Sequence, residues 1–374
     1  MTKEELYAEL EHMAPEMTPN ERITEYLKGN EVDCIPYAFL APDDALASIW
    51  GYSKGDLRRS FEARCAVIER KKKEYGFTGM SASMGLRGIG EAVGSVLKYP
   101  EYKSDYVDKY VVEDYSAIDF DELLDVRHNM ILQKKLENGK RLMERFPEMS
   151  ISTDVAGPIT TASAIRPIEL LLRDMRKNPE KLNALLQYSV DCSLEWIKVF
   201  MEETGSHSVG ISDPVTSTDV LGYKYFAEYS RPYFDKLFSG IVQITGKKPS
   251  VHICGHTKKI WKDLQEIGVD NLSIDNCENM EEAKNAIGDS VFLSGNVPPV
   301  DVMLNGSIDD VIESVKITIG RAAESPCGFM LMTGCQVPIG TPKENMDAFV
   351  YAARKYGAGA RKGKMPDGMK STLN

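Results

Sequence analysis

The segment PSVHICGHTKKIWKDLQEI, residues 249–267, reads as a short buried strand followed directly by a helix. A compact apolar run bounded by turn residues, then amphipathic spacing, is the unit from which parallel α/β sheets are built. Side chains two apart on a strand point to the same face, so His252 and Cys254 project together at the strand's end.

The same alternation extends in both directions. Strand-like runs occupy residues 34–40, 77–83, 150–157, 206–213, 249–255, 271–276, 290–296 and 328–334, eight in all. Helical patterns separate them: 54–75, 86–97, 119–146, 159–176 with 180–203, 220–242, 257–267, 280–287, 308–323 and 342–356. The last carries Thr341 as expected N-cap, Pro342 at the first helical position and Gly357 beyond its end. Eight alternating strands predict a single (β/α)8 TIM barrel, with a doubly wound open sheet as the competing α/β arrangement. Ahead of it, Thr2 with Glu5 and Thr18 with Pro19 start two helices, an N-terminal helical extension. The predicted organisation is an extension over residues 1–30, a catalytic barrel over 31–360 and a flexible tail over 361–374.

Composition narrows the classes. The 374 residues are 43% hydrophobic with a net charge of −11, and the one basic concentration is the tail at 361–370, which argues against nucleic acid and anionic membrane as partners. The N-terminus lacks an apolar signal core and no apolar run is long enough to span a bilayer, so a cytoplasmic location is expected. Seven scattered cysteines in such a chain suggest thiols or metal ligands in place of disulfides.

Active centres of the barrel fold gather at the C-terminal ends of the strands. His252 and Cys254 end strand five and Cys335 follows strand eight, which offers one imidazole and two thiols to a common point. Three such ligands with a fourth position open is the pattern of a catalytic zinc, although a lone H-x-C also fits an ordinary buried pair. Asp213, Asp275 and Asn296 follow strands four, six and seven as polar liners or as caps of the next helix. Glu91 is a rim position able to support the site from behind, and His256 and Cys277 compete as ligands. The glycines of GLRGIG, residues 85–90, lack dinucleotide-fingerprint spacing and read as a loop. Five tyrosines in 99–115 mark an excursion suited to a lid or docking surface, or to a packed flap with no such role.

Several stretches together resemble the uroporphyrinogen decarboxylase superfamily: MTPNERITEYLKGNEVDCIPY (17–37), DVAGPITTA (154–162), YFAEYSRPYF (225–234), HICGHT (252–257), LSGNVPPVDVML (293–304) and GCQVPIGTPKENMDAFVYAARKYG (334–357). Within it, H-x-C with a late G-C resembles the zinc-dependent corrinoid methyltransferases, which include methylcobalamin:coenzyme M methyltransferases and methyl-ether demethylating relatives. That resemblance implies Zn2+ on His252, Cys254 and Cys335, and a methylcobalamin or corrinoid cofactor carried by a partner corrinoid protein, since the chain has no D-x-H-x-x-G signature. Catalytic support would come from Asp213 and Glu91, and the small-molecule methyl donor or acceptor leans towards a methoxylated aromatic. The decarboxylases' R-Q-A-G-R-Y segment has no counterpart, because YAFLAPDDALASIW (37–50) stands there, and a polycarboxylate needs such arginines. Porphyrinogen decarboxylation and a non-catalytic zinc or corrinoid-protein scaffold remain the alternatives.

Overall fold

The computed structural model describes residues 1–40 and 43–370. Its strands are β1 (Val32–Cys34), β2 (Gly79–Ser81), β3 (Val96–Lys98), β4 (Tyr106–Lys109), β5 (Ser150–Ala156), β6 (Val209–Ser212), β7 (Ser250–His252), β8 (Asn271–Ser273), β9 (Phe292–Val297), β10 (Phe329–Thr333) and β11 (Ala358–Ala360). Parallel strands alternating with helices give the expected (β/α)8 class of fold with a helical N-terminal extension. Two compact units divide the chain: residues 78–269, and residues 1–77 with those from 270 onward.

In the first of these, β2, β5, β6 and β7 run parallel, with Ser81 opposite Ser152, Ala156 opposite Ser212 and Ser212 opposite His252. Alternation gives the sheet two unlike faces. Met80, Ile151, Thr153, Val155, Val209, Ile211 and Val251 are all buried. That face packs under helices: the Trp196 indole of Pro179–Thr204 donates to Thr153 Oγ1 at 2.9 Å, and Gly139 of Met130–Arg145 admits the Ile151 side chain. The opposite face carries Ser81, Ser152, Asp154, Gly210, Ser212, Ser250 and His252.

In the other unit β8, β9 and β10 are parallel, Ser273 facing Ser294 and Met332 facing Asn296. Strand one is reduced to a bridge from Tyr37 to Leu331, because the neighbouring β1 turns away to pair antiparallel with β11. The extension is fixed by chemistry as well as packing. Both expected capping boxes form, Thr2 with Glu5 and Thr18 with Glu21. Tyr26 Oη accepts the Phe329 N–H at 3.1 Å, and buried Arg22 donates to Asp33 at 2.6 Å.

Several helices differ from expectation. The run at 54–75 breaks at Ser60, whose side chain caps Phe61–Tyr75. Only Gly88–Ala92 of 86–97 is helical, since β3 begins a hairpin with β4. In 119–146, the helix waits for Asn129, which accepts from the N–H groups of Ile131 and Leu132. Pro342, not Thr341, is the N-cap of Lys343–Tyr356, because the Thr341 hydroxyl turns back to the Pro338 carbonyl. Of the expected tail, residues 361–370 carry an Arg361–Lys364 bridge and the helix Asp367–Lys370, and 371–374 lie outside the described residues.

Candidate metal centre

Within the 78–269 unit, β7 ends at His252, and the chain continues through Ile253 so that the Cys254 side chain follows on the same side. His252 Nε2 lies 3.2 Å from Cys254 Sγ, with the imidazole 8% exposed. The loop beyond is clamped to the loop after β6. Gly255, at φ 82°, takes a left-handed conformation and leaves room for Asp219, whose carboxylate accepts the His256 N–H at 2.9 Å. Thr218 bonds the His256 carbonyl through both its N–H and its hydroxyl. His256, named above as a rival ligand, directs its ring Nδ1 to Asp219 at 3.0 Å and is largely exposed.

Asp213 is wholly buried, and its N–H donates to the His252 carbonyl at 3.0 Å. Its Oδ1 accepts from the Thr160 N–H at 3.2 Å and from the Thr160 hydroxyl at 2.6 Å. Asp213 therefore caps Pro158–Ile165, the helix after β5, which starts on Gly157 and has no side-chain cap of its own. Gly157 makes this possible: a methyl group there would sit 2.1 Å from the Asp213 carboxyl carbon. Burial pushes the Asp213 carboxyl up to about 6, and the Thr160 bonds pull against that shift. Its geometry is that of a positioning residue acting through His252, with no open face of its own. Sequence reading missed Gly157 and Thr160, whose signal was the DVAGPITT run itself.

Glu91, half-buried on Gly88–Ala92, accepts a hydrogen bond from Tyr99 just beyond β3. The helix comes close because Gly90 lies against the Ala164 backbone, where a Cβ would be 2.5 Å from the carbonyl oxygen. That contact explains a glycine in GLRGIG. Tyr115 of the excursion stacks on buried Arg166 at 4.3 Å and donates to Asp174 at 2.9 Å, whereas Tyr102 and Tyr106 are exposed.

In the other unit Cys335 follows β10, two residues past Thr333. Gly334 between them packs against the Asn276 backbone, and its N–H donates to Val297. Asn296 Nδ2 donates to the carbonyls of Asp275 at 3.0 Å and Glu278 at 2.8 Å, bracing the loop after β8. Asp275 Oδ1 accepts the Cys277 N–H. Neither residue caps the α-helix that follows it: Asn279 caps Met280–Ile287 and Ser307 caps Ile308–Ala322.

A strand that presents an imidazole and a thiol beyond its C-terminal end, on a scaffold of parallel β/α units, defines an α/β barrel-class enzyme with a candidate metal centre. The uroporphyrinogen decarboxylase (URO-D) family pattern matches residues 18–356, and the chain belongs to that family. It is 25% identical over 354 residues to the methylcobamide:CoM methyltransferase MtbA of Methanosarcina acetivorans, covering 91% of this chain and 99% of that one. The methylcobamide:CoM methyltransferase MtaA of Methanosarcina barkeri shares 27% over 211 residues, 56% of this chain and 59% of that one. A solved methyltransferase from Methanosarcina mazei has the same fold, with a TM-score of 0.73 over 92% of this chain and 100% of that chain at 21% identity. Among the described residues no helix is long and apolar enough to cross a membrane.

Proposed function

We propose that the chain is a zinc-dependent methyltransferase that moves a methyl group between a small substrate and the cobalt of a separate corrinoid protein. The observation that carries the reading is the His252–Cys254 pair, 3.2 Å apart beyond β7 on a loop clamped by Asp219 and Thr218. Full-length similarity to a methylcobamide:CoM methyltransferase supports it. The residues fit the metal: His252, Cys254 and Cys335 supply one imidazole and two thiols, the soft donor set that zinc takes. Zinc held by these residues would supply Lewis acidity to a substrate oxygen or sulfur.

The protein's own groups do the positioning. Asp213 fixes the His252 backbone, Gly255 and Asp219 set the direction of the loop that carries Cys254, and Glu91 holds the first tyrosine of the excursion. In demethylation the substrate's methyl–oxygen bond breaks as a methyl–cobalt(III) bond forms from cobalt(I), and the oxygen leaves with the electron pair. A thiol acceptor runs the same displacement in reverse. The preferred substrate is a methoxylated aromatic; similarity to a methylated-thiol–coenzyme M methyltransferase of Methanosarcina mazei favours a thiol as the second reading. We also assign residues 31–360 to one catalytic domain behind the 1–30 extension.

The test is elemental analysis with a methyl-transfer assay. About one zinc per chain is expected, lost in Cys254→Ser and in Cys335→Ser. Absorbance changes between cobalt(I) and methyl-cobalt(III) corrinoid report transfer with methoxylated aromatics, methylamines and thiols. Full zinc in both variants, or release of carboxylates from uroporphyrinogen, overturns the assignment.

A further inference from the structure

The face of the β2–β5–β6–β7 sheet that carries His252 is unusual for a parallel barrel strand set. Such interiors are normally filled by layers of Val, Ile and Leu. Here the corresponding positions are Ser81, Ser152, Asp154, Gly210, Ser212 and Ser250, and every one is half-buried or exposed. No side chain on this face is bulky except His252 itself. Asp154, Gly210 and Ser250 stand opposite one another in register, one two-residue step before the row of Ala156, Ser212 and His252. Gly210 leaves a gap in its row: an added Cβ would meet Asp154 Cβ at 3.6 Å and Ser250 Oγ at 3.5 Å, ordinary contacts with nothing beyond them.

We propose that this face is a substrate wall and that Asp154 is its specificity-determining residue, recognising a substrate that presents a hydrogen-bond donor, either hydroxyl or ammonium, to its carboxylate. The inference rests on His252 belonging to the reaction centre. Two strand spacings and one two-residue step separate Asp154 from His252 by roughly 12 Å between Cα atoms. Both side chains stand on this one face with only Gly210 and Ser212 of β6 between them, a spacing that one substituted ring with its donor group spans. The Ser83 and Ser81 hydroxyls bond the Asp154 carboxylate, and Lys135, whose ammonium donates to the Ser83 carbonyl at 3.2 Å, lies near enough to favour its charge. Burial works against the charged form and pushes the carboxyl up, so a donor brought by the substrate relieves a desolvated acceptor. A carboxylated substrate meets repulsion at the same place.

Calorimetric titration of the zinc-loaded protein tests this without requiring turnover. The ligands are 2-methoxyphenol, 2-methoxybenzylammonium, 1,2-dimethoxybenzene and 2-methoxybenzoate. Either or both of the first two bind at least tenfold more tightly than the last two, and which of them does so identifies hydroxyl or ammonium as the donor. Asp154→Asn reduces that ratio at least tenfold while zinc content stays at about one per chain. Gly210→Ala, which the space accommodates, weakens ring-sized ligands and serves if Asp154→Asn does not fold. Equal binding of donor-bearing and donor-lacking rings by the natural protein, no binding of any of the four, or an unchanged ratio in Asp154→Asn overturns the proposal. Selective binding with no methyl transfer leaves the wall standing and instead overturns the methyltransferase reading.

Discussion

Replacing Gly157 by alanine tests how the metal loop is held. The backbone there is at φ −65°, which any residue adopts, so the effect comes from the side chain alone. The new methyl group would lie 2.1 Å from both Cγ and Oδ2 of Asp213 and 2.4 Å from its Cβ. Asp213 is 0% exposed and has no solvent to retreat into, so its carboxylate must move by more than an ångström. That displacement takes Oδ1 away from the Thr160 N–H and hydroxyl. Hydrogen bonds to a charged group contribute about 1.5–3 kcal/mol each, so the loss of two is roughly 3–6 kcal/mol. For a unit the size of residues 78–269 this lowers Tm by roughly 6–24 °C. The Asp213 N–H also anchors the His252 carbonyl, so zinc affinity should fall about 10–100-fold, the range for groups that orient metal ligands. Differential scanning calorimetry and competition with a zinc chelator measure the two effects. Gly79→Ala is the control, because an added Cβ there meets nothing within 4 Å. A Tm within 2 °C of the natural protein, with unchanged zinc affinity, would show that Asp213 does not hold this loop.

Three further outcomes follow from other parts of the molecule. Arg166 is 3% exposed, pairs with Asp174 at 2.8 Å and also donates to the Val112 and Glu113 carbonyls; Arg166→Leu, which strands the Asp174 charge, should cost about 3–5 kcal/mol and speed hydrogen exchange in residues 106–117. Burial raises the Asp33 carboxyl but the Arg22 guanidinium outweighs it and holds the group below its ordinary value, so its contribution is present above about pH 4 and lost on acidification; Asp33→Asn should flatten that part of the stability profile measured by urea unfolding. The protein isolated from cobalamin-fed cells should show no visible-region corrinoid absorbance, in keeping with a cofactor delivered by a partner.

The strands of the parallel sheet were legible because they are apolar or β-rich runs between turn residues, and their parallel order followed from the helices between them. The His252–Cys254 pair was legible because a two-residue period fixes which side chains share a face. Strand one and the hairpin were harder. Residues 34–40 have strand composition, but half of the pairing went to Ala358–Ala360 at the far end of the chain, a competition that no local pattern records. The 86–97 pattern has helical spacing, yet Gly94 at φ 120° ends it and the chain turns into β3. Asp213 stood in the sequence as a liner of the strand ends or a cap of the helix after its own strand. Its capping of a helix more than fifty residues earlier depends on Gly157 and Thr160, a contact set by tertiary packing.

A sheet with one face packed under helices and the other kept small and polar separates two kinds of selection. Substitutions at Ile151, Val155, Ile211 or Val251 act on the interior and are felt as lost stability, whatever the substrate. Ser152, Gly210, Ser212 and Ser250 are half-buried or exposed on the other face, so substitutions there leave folding largely intact and are free to change what the wall accepts. Such an architecture lets one scaffold diversify across related small molecules by single steps, because the positions that decide recognition are not those that hold the protein together.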